Sequence, residues 1–388
     1  LSLFYSEDNK SFCYDGVADF EVFNLKMPLE TPLLEMHRSS GATIGEYFGT
    51  QLPARFGEFA EEYAALRRAV ALVDTNFRAT FSFAGPDRQR YLNALLTSNV
   101  RDLKPGQGAV GLLLNPQGHI LAEVATFTLE SRILAMSHAL VGERTYSTFD
   151  KFIIMDDVEL EDVTPMTRTL DLMGPRAAKL LSDLGAGKFA DMPLLSHEEL
   201  KLGQIHCRIV RREFAGEPAA TLIVPRESLV NLWRELSAGV RAAGGTPVGM
   251  EAFNSLRLEL GMPWFGVDYG DKQIPHEAGL EMTHISYEKG CYTGQEIVER
   301  VRSRGHVNRR LTELQFSAAV APATGTNLLH DGGETGSVTS TGYSPLLARA
   351  IGLGYVRREH SAIGTRLDAS GISVDIIAPP LLKQKTPA

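Results

Sequence analysis

Apolar residues at Phe59, Tyr63, Leu66, Val70 and Val73 recur every three or four positions with Glu and Arg between them, and the spacing predicts an amphipathic helix. A second helical period runs through Leu229, Leu232, Trp233, Leu236 and Val240 and closes at Gly244-Gly245. Between the two, one unit occurs twice. Residues 80–84 alternate like a strand, and Gly85-Pro86 then opens a helix carrying Tyr91, Leu92, Leu95 and Leu96. Residues 170–173 lead in the same way through Gly174-Pro175 into Ala177, Leu180, Leu181 and Leu184. Proline suits the start of a helix because the N–H it lacks would have no partner there. This repeat, with strand-like runs at 109–114, 119–129 and 205–210, predicts an internally duplicated α+β domain. Beyond Arg310 the runs are short and separated by glycine, at 311–316, 336–340, 350–356 and 373–377, which predicts a small β-barrel. Residues 1–27 show no sustained period and read as an N-terminal extension ahead of a start at Met27. The expected division is therefore 1–27, 28–310 and 311–388, with a frayed tail after Pro379.

A chain of 388 residues, 44% hydrophobic and 22% charged, has room for two or three cores. No apolar run approaches the roughly twenty residues of a membrane span, and the first residues lack the order of a signal peptide, so the default is a cytoplasmic protein without a membrane partner. A net charge of −8 argues against general nucleic-acid binding. One local exception is the crowd of Arg300, Arg302, Arg304, His306, Arg309 and Arg310, which either focuses an anionic ligand or forms a solvated face paired with Glu296 and Glu299. No GxGxxG fingerprint or Walker loop is present, which leaves a dinucleotide or nucleotide enzyme unsupported.

Three widely spaced cysteines, Cys13, Cys207 and Cys291, form no CxxC pair, so neither a disulfide framework nor a self-contained metal site is expected. Cys291 lies in the string Lys289-Gly290-Cys291-Tyr292-Thr293-Gly294-Gln295-Glu296. Thr293 and Glu296 have the spacing of a capping box at a helix start. The positive end of that helix and the Lys289 charge would both favour a thiolate at Cys291, making it the candidate catalytic residue as nucleophile or soft ligand. The alternative is a small buried hydrophobe in a tight turn.

Residues 96–118, Phe214-Ala215-Gly216-Glu217, the run Ser255-Leu256-Arg257-Leu258-Glu259-Leu260-Gly261-Met262-Pro263 and the cysteine string together resemble the folate-binding YgfZ/GcvT group, relatives of the aminomethyltransferase of the glycine cleavage system. The cysteine string is similar to the YgfZ branch in particular. The resemblance implies an α+β ring of subdomains built on the duplicated unit, with a C-terminal β-barrel, around a site for tetrahydrofolate or a one-carbon derivative. It implies folate-binding roles for Glu217, Asn115 and Arg257; one carboxylate can accept two parallel hydrogen bonds from a pterin edge. It also implies a motif role for Lys289, Gly290, Tyr292, Gly294, Gln295 and Glu296.

Two departures bear on activity. Where the resembling enzymes have a catalytic aspartate followed by a second one, this chain has Ala122-Glu123, and a carboxylate moved by one residue along a strand leaves the pocket unless a bulge intervenes. Where they have Ala-Arg-Asp-Ser, this chain has Ala252-Phe253-Asn254-Ser255, which removes an arginine for the folate tail. The first expectation is therefore a tetrahydrofolate-binding accessory protein for iron–sulfur enzymes, with iron–sulfur client proteins as partners and Cys291 as its reactive group. The alternatives are a folate-dependent aminomethyl or one-carbon transferase, and a scaffold with a decayed pocket.

Overall fold

In the computed structural model, which describes residues 28–378, the period that begins at Phe59 forms the helix Phe59–Arg68 and then stops. Val73, expected on that helix, lies in the strand Ala71–Asp74, with Val70 immediately before it. The run Val70-Ala71-Leu72-Val73 is buried on both faces, and such a run reads equally as helix or strand. The second helix is Leu229–Ala242, which closes a core over Leu72, Leu170, Ile209 and Leu222.

The two strand–Gly-Pro–helix units are both present, in different sheets. Arg78–Ala84 leads to the helix Arg88–Leu95 and belongs to a five-stranded antiparallel sheet ordered Gly108–Leu114, Ile120–Thr128, Ile133–His138, Arg78–Ala84, Glu159–Asp162. Thr167–Met173 leads to the helix Ala177–Asp183 and belongs to a six-stranded sheet ordered His197–Leu202, Ile205–Phe214, Glu217–Pro225, Thr167–Met173, Ala71–Asp74, Thr246–Pro247. The glycine before each proline has positive φ, +92° at Gly85 and +103° at Gly174. A Cβ there would come within 2.2 Å of the Asp157 carbonyl oxygen and 2.8 Å of that of Ala69, so both copies need glycine at this crossing.

A three-stranded sheet of Leu29–Glu30, Thr50–Arg55 and Thr43–Tyr47 packs through Phe48 and Leu52 on the Phe59–Arg68 and Met250–Glu259 helices. The C-terminal region is a closed barrel of six strands, Arg309–Phe316, Arg349–Arg357, Gly333–Ser344, Asn327–His330, Arg366–Ala369 and Ile372–Ile377. Two of these, Asn327–His330 and Arg366–Ala369, are too short at four residues each to show an alternation, and the sequence pattern missed them. The barrel is bolted to the helix Met250–Glu259. Arg257, fully buried, donates to Asp268, to Asn254 Oδ1 at 2.9 Å and to the Met262 carbonyl at 3.1 Å, while Asp268 accepts the hydroxyls of barrel residues Thr339 and Ser340. Glu259 similarly accepts from Ser344 of the barrel and, at 2.6 Å, from Tyr63. Among the described residues no helix is long and apolar enough to cross a membrane. The N-terminal extension with Cys13, and the tail after Pro379, lie outside the described residues.

Candidate active site

A β-bulge does intervene beside Glu123. Leu113 pairs with Ala122, whereas Leu114 pairs with Ile120, so Leu121 is the extra residue and the side-chain alternation of the strand changes phase. Ala122 packs, fully buried, among Phe81, Phe83, Leu92 and Leu113, where a carboxylate would have no partner. Glu123 instead shares the face of Leu112, Leu114 and Ile120, against the Phe265 and Tyr269 segment. The expectation that position 122 occupies the pocket, leaving it without an acid, is overturned. The carboxylate that faces inward is Glu123.

Its Oε2 accepts the Tyr269 hydroxyl and lies 3.3 Å from His284 Nε2. Burial pushes the Glu123 carboxyl up, but the His284 bond and charge, the nearby His138 and the Tyr269 hydroxyl outweigh it and hold the group below its ordinary range. Glu123 is thus an ionised acceptor at neutral pH. His138 ends the neighbouring strand, and burial pushes its imidazole down to about 4, partly offset by Glu123, so the ring is neutral. Its Nδ1 is buried without a hydrogen-bond partner. Next in the row, Arg78 crosses from the five-stranded sheet to Asp171 of the six-stranded sheet at 3.0 Å and donates to Thr221 at 3.3 Å.

An aromatic seam leads away from this cluster. Successive ring centroids run from Tyr269 to Phe265 (5.7 Å), His138 (5.1 Å), Phe48 (5.3 Å), Trp264 (5.1 Å), Phe253 (5.4 Å) and Phe214 (5.1 Å). Phe214 pairs with Glu217 across a two-residue hairpin whose central residues, Ala215 and Gly216, both have positive φ, the geometry of a type I′ turn. Half-buried Glu217 thereby stands at the far end of the seam from Glu123. A row of rings with Glu217 at one end, Glu123 beside Tyr269 at the other and the unpartnered His138 Nδ1 between them suits a planar heteroaromatic ligand such as a pterin.

The cysteine string packs on the five-stranded sheet's hairpin on the same face as Glu123, where Tyr292 and Val298 join Leu112, Leu114, Ile120, Phe265 and Tyr269. Its helix is Gln295–Arg304, and the N-cap is Gly294 at φ +82°, with no side-chain cap bond, so the expected capping box between Thr293 and Glu296 does not form. The helix begins one position too late for Glu296 to reach back. Gly294 presses on the 115–119 turn: a Cβ on it would lie 2.7 Å from the Asn115 carbonyl oxygen. Gly294→Ala is expected to lower stability by about 2 kcal/mol from strain at positive φ and this clash, read as a lowered denaturant midpoint at unchanged slope. Lys289 is buried and donates to the carbonyls of Asn93 and Leu96 at the end of the Arg88–Leu95 helix, 5.0 Å over the Tyr292 ring. Burial and Arg101 push its ammonium down to about 8. Its charge therefore caps that helix rather than standing beside the sulfur, a correction to the expected activation of Cys291. Cys291 itself is exposed, four residues before the helix, with Gly290 beside it, while Tyr292 is buried. Cys207 is a core residue whose thiol burial pushes up to about 12.

Of the other expected folate residues, Asn115 uses its Oδ1 to accept the His119 N–H at 2.9 Å and closes the turn under Gly294. Arg257 is sealed and bound to Asp268, so it belongs to the joint with the barrel and not to a ligand. In the basic stretch, Arg309 pairs with Glu277 at 3.1 Å and Arg302 with Glu299 at 3.6 Å, over the Tyr287 ring. Tyr269, His284, His138, Arg78 and Asp171 went unnoticed in the sequence because they come from five separate segments with no shared motif. Only the Ala122-Glu123 pair carried a signal, and a bulge hid its phase.

Comparison with known proteins matches residues 33–288 to the GCVT N-terminal domain and residues 309–381 to the glycine cleavage T-protein C-terminal barrel domain. The chain is 29% identical over 329 residues to an aminomethyltransferase of Rubrobacter xylanophilus, covering 85% of this chain and 87% of that one. It is 30% identical over 346 residues to an aminomethyltransferase of a Nostoc species, covering 87% and 90%. Among solved structures it superimposes on the glycine cleavage system aminomethyltransferase T from Bartonella henselae with a TM-score of 0.81 at 24% identity, covering 92% of this chain and 99% of that one, a likeness of fold.

Proposed function

The chain belongs to the GCVT family, the glycine cleavage T-proteins, and from that premise we propose that it is a tetrahydrofolate-dependent one-carbon transferase with Glu123 as its working carboxylate. The observation that carries this reading is the phase change at Leu121, which turns Glu123 toward Tyr269 and His284. The aminomethyltransferase names of its relatives support it. Bound tetrahydrofolate supplies the amine nitrogens that accept a carbon unit. Glu217 is suited to pair with the pterin amine and ring N–H, and the Phe214–Phe253–Trp264 rings to take its face. Glu123 Oε2, ionised and hydrogen-bonded, takes the proton released as an amine gains a fourth bond, and its negative charge stabilises the cationic carbon in transit. Tyr269 and His284 hold the carboxylate in place for that transfer.

A second reading, a YgfZ-like accessory protein serving iron–sulfur enzymes, draws support from one feature. Cys291 is exposed on a string whose neighbours Lys289 and Tyr292 are anchored. One variant separates the two. Purified protein given tetrahydrofolate and a panel of glycine-derived and methylated amine donors is expected to form methylene- or methyltetrahydrofolate, and Cys291→Ser to keep that rate within about twofold, since no charge in the site depends on the sulfur. Absence of product with every donor, together with loss of iron–sulfur enzyme rescue in cells carrying Cys291→Ser, would replace the transferase by the accessory protein.

A further inference from the structure

We propose that Leu140 is a lid over the aromatic seam, and that its side chain must swing away before a planar ligand can reach the rings. The proposal rests on the folate reading above for the identity of that ligand and adds how the site admits it. Three segments meet at the middle of the seam, and they touch at two depths. In the buried layer the His138 ring lies 5.3 Å from that of Phe48 and 5.1 Å from that of Phe265, and both phenylalanines are shut off from solvent. In the outer layer the same three segments meet again through Leu140, two residues after His138. One of its methyl groups lies against Gly49, the neighbour of Phe48, and the other against Gly266, the neighbour of Phe265. A Cβ on these glycines would come within 3.1 Å of Leu140 Cδ1 and 2.9 Å of Leu140 Cδ2 respectively. Leu140 itself is 50% exposed, so it forms the outer face of the closure.

The covered layer is unfinished without a ligand. His138 Nδ1 is buried with no hydrogen-bond partner, and a nitrogen in that state destabilises the protein until something bonds to it. Phe48 is held at φ +55°, beside Gly49 at +69°, in the two-residue turn between Tyr47 and Thr50. A bulky side chain at positive φ is strained, and such strain persists where the surroundings impose it, as at ligand clamps. Here the turn presses the Phe48 ring on Phe77, His138 and Trp264. Leu140 is easy to move by comparison. It lies in the single 3₁₀ turn Ala139–Val141, which has no buried residue, and at both glycines it rests on bare backbone with no side chain interlocked against it. Lifting it takes a rotamer change at the surface, whereas parting the ring layer would pull close-packed aromatic residues from one another.

Stopped-flow mixing with folinic acid tests this, read by quenching of tryptophan fluorescence, since Trp264 lies in the seam. Leu140→Ala is expected to raise the association and the dissociation rate constants alike, each about tenfold, the size of the contact that a half-buried leucine makes. Kd is expected to stay within about threefold, because a lid sets the barrier between the free and bound states and not their difference. Leu140→Val, one carbon shorter, is expected to move both rates the same way by about threefold, and it carries the test should the alanine variant fail to fold. Two results overturn the lid. If dissociation alone quickens and affinity falls, Leu140 is a contact of the bound ligand; if neither rate changes by more than about twofold, it is ordinary surface packing. Failure of the wild type to bind folinic acid is a separate result, seen before either variant is made, that removes the folate reading and the lid's ligand with it.

Discussion

Glu123→Gln is expected to transfer one-carbon units at least about a hundredfold more slowly than the wild type, the usual size of a lost acid–base group, while binding folinic acid as before. Glutamine has the shape of glutamate, and its amide oxygen can still accept the Tyr269 hydroxyl, so the fold around His284 and Tyr269 is preserved. What it loses is the charge and the ability to take a proton. Rate constants at saturating folate, with a calorimetric check of binding, separate the chemical step from affinity. As a control, Ala122→Asp places a carboxylate into the core of Phe81, Phe83 and Leu92; it is expected to destabilise the protein and to restore no activity to Glu123→Gln. Activity unaffected by Glu123→Gln would remove this residue from the chemistry.

Arg257→Ala is expected to cost about 3–5 kcal/mol of folding stability, because it leaves Asp268 as an unpaired charge sealed in the interior. The loss spreads beyond one ion pair. Arg257 lies 4.4 Å over the Trp264 ring, and Asp268 also accepts Thr339 and Ser340, so the same change loosens both the aromatic seam and the barrel joint. Replacing both partners with apolar residues of similar volume, Arg257→Met with Asp268→Leu, is expected to recover much of the stability, since no lone charge remains. Denaturant unfolding of the three proteins decides the matter. A cost under about 1 kcal/mol for Arg257→Ala would place it among ordinary surface changes and refute its part in the joint.

Much of the fold was legible along the chain because its elements announce themselves locally. The Gly-Pro pairs mark both strand-to-helix crossings, where a Cβ would meet a carbonyl, and the glycine-separated runs mark the barrel. Legibility failed where a decision depends on distant contacts. Val70 and Val73 keep helical spacing but are claimed by a sheet, since burial on both faces erases the difference. Leu121 is expelled as a bulge by the pairing of Leu114 with Ile120, and that one slip reverses which of Ala122 and Glu123 faces the site. Lys289 looked like a neighbour of Cys291 because the two are close in sequence. Its four-carbon stem instead carries the ammonium into the end of a helix nearly two hundred residues earlier. Arg257 illustrates the same limit, since nothing in its own segment reveals that Asp268 consumes its charge.

A crystal structure of the protein with folinic acid bound would test the central claim most directly. The account predicts the pterin edge on Glu217, its face along Phe253 and Trp264, and the reacting nitrogens within about 3–4 Å of Glu123 Oε2 or one water away. A pterin seated with those nitrogens well beyond that reach of Glu123, or bound away from the seam altogether, would contradict it.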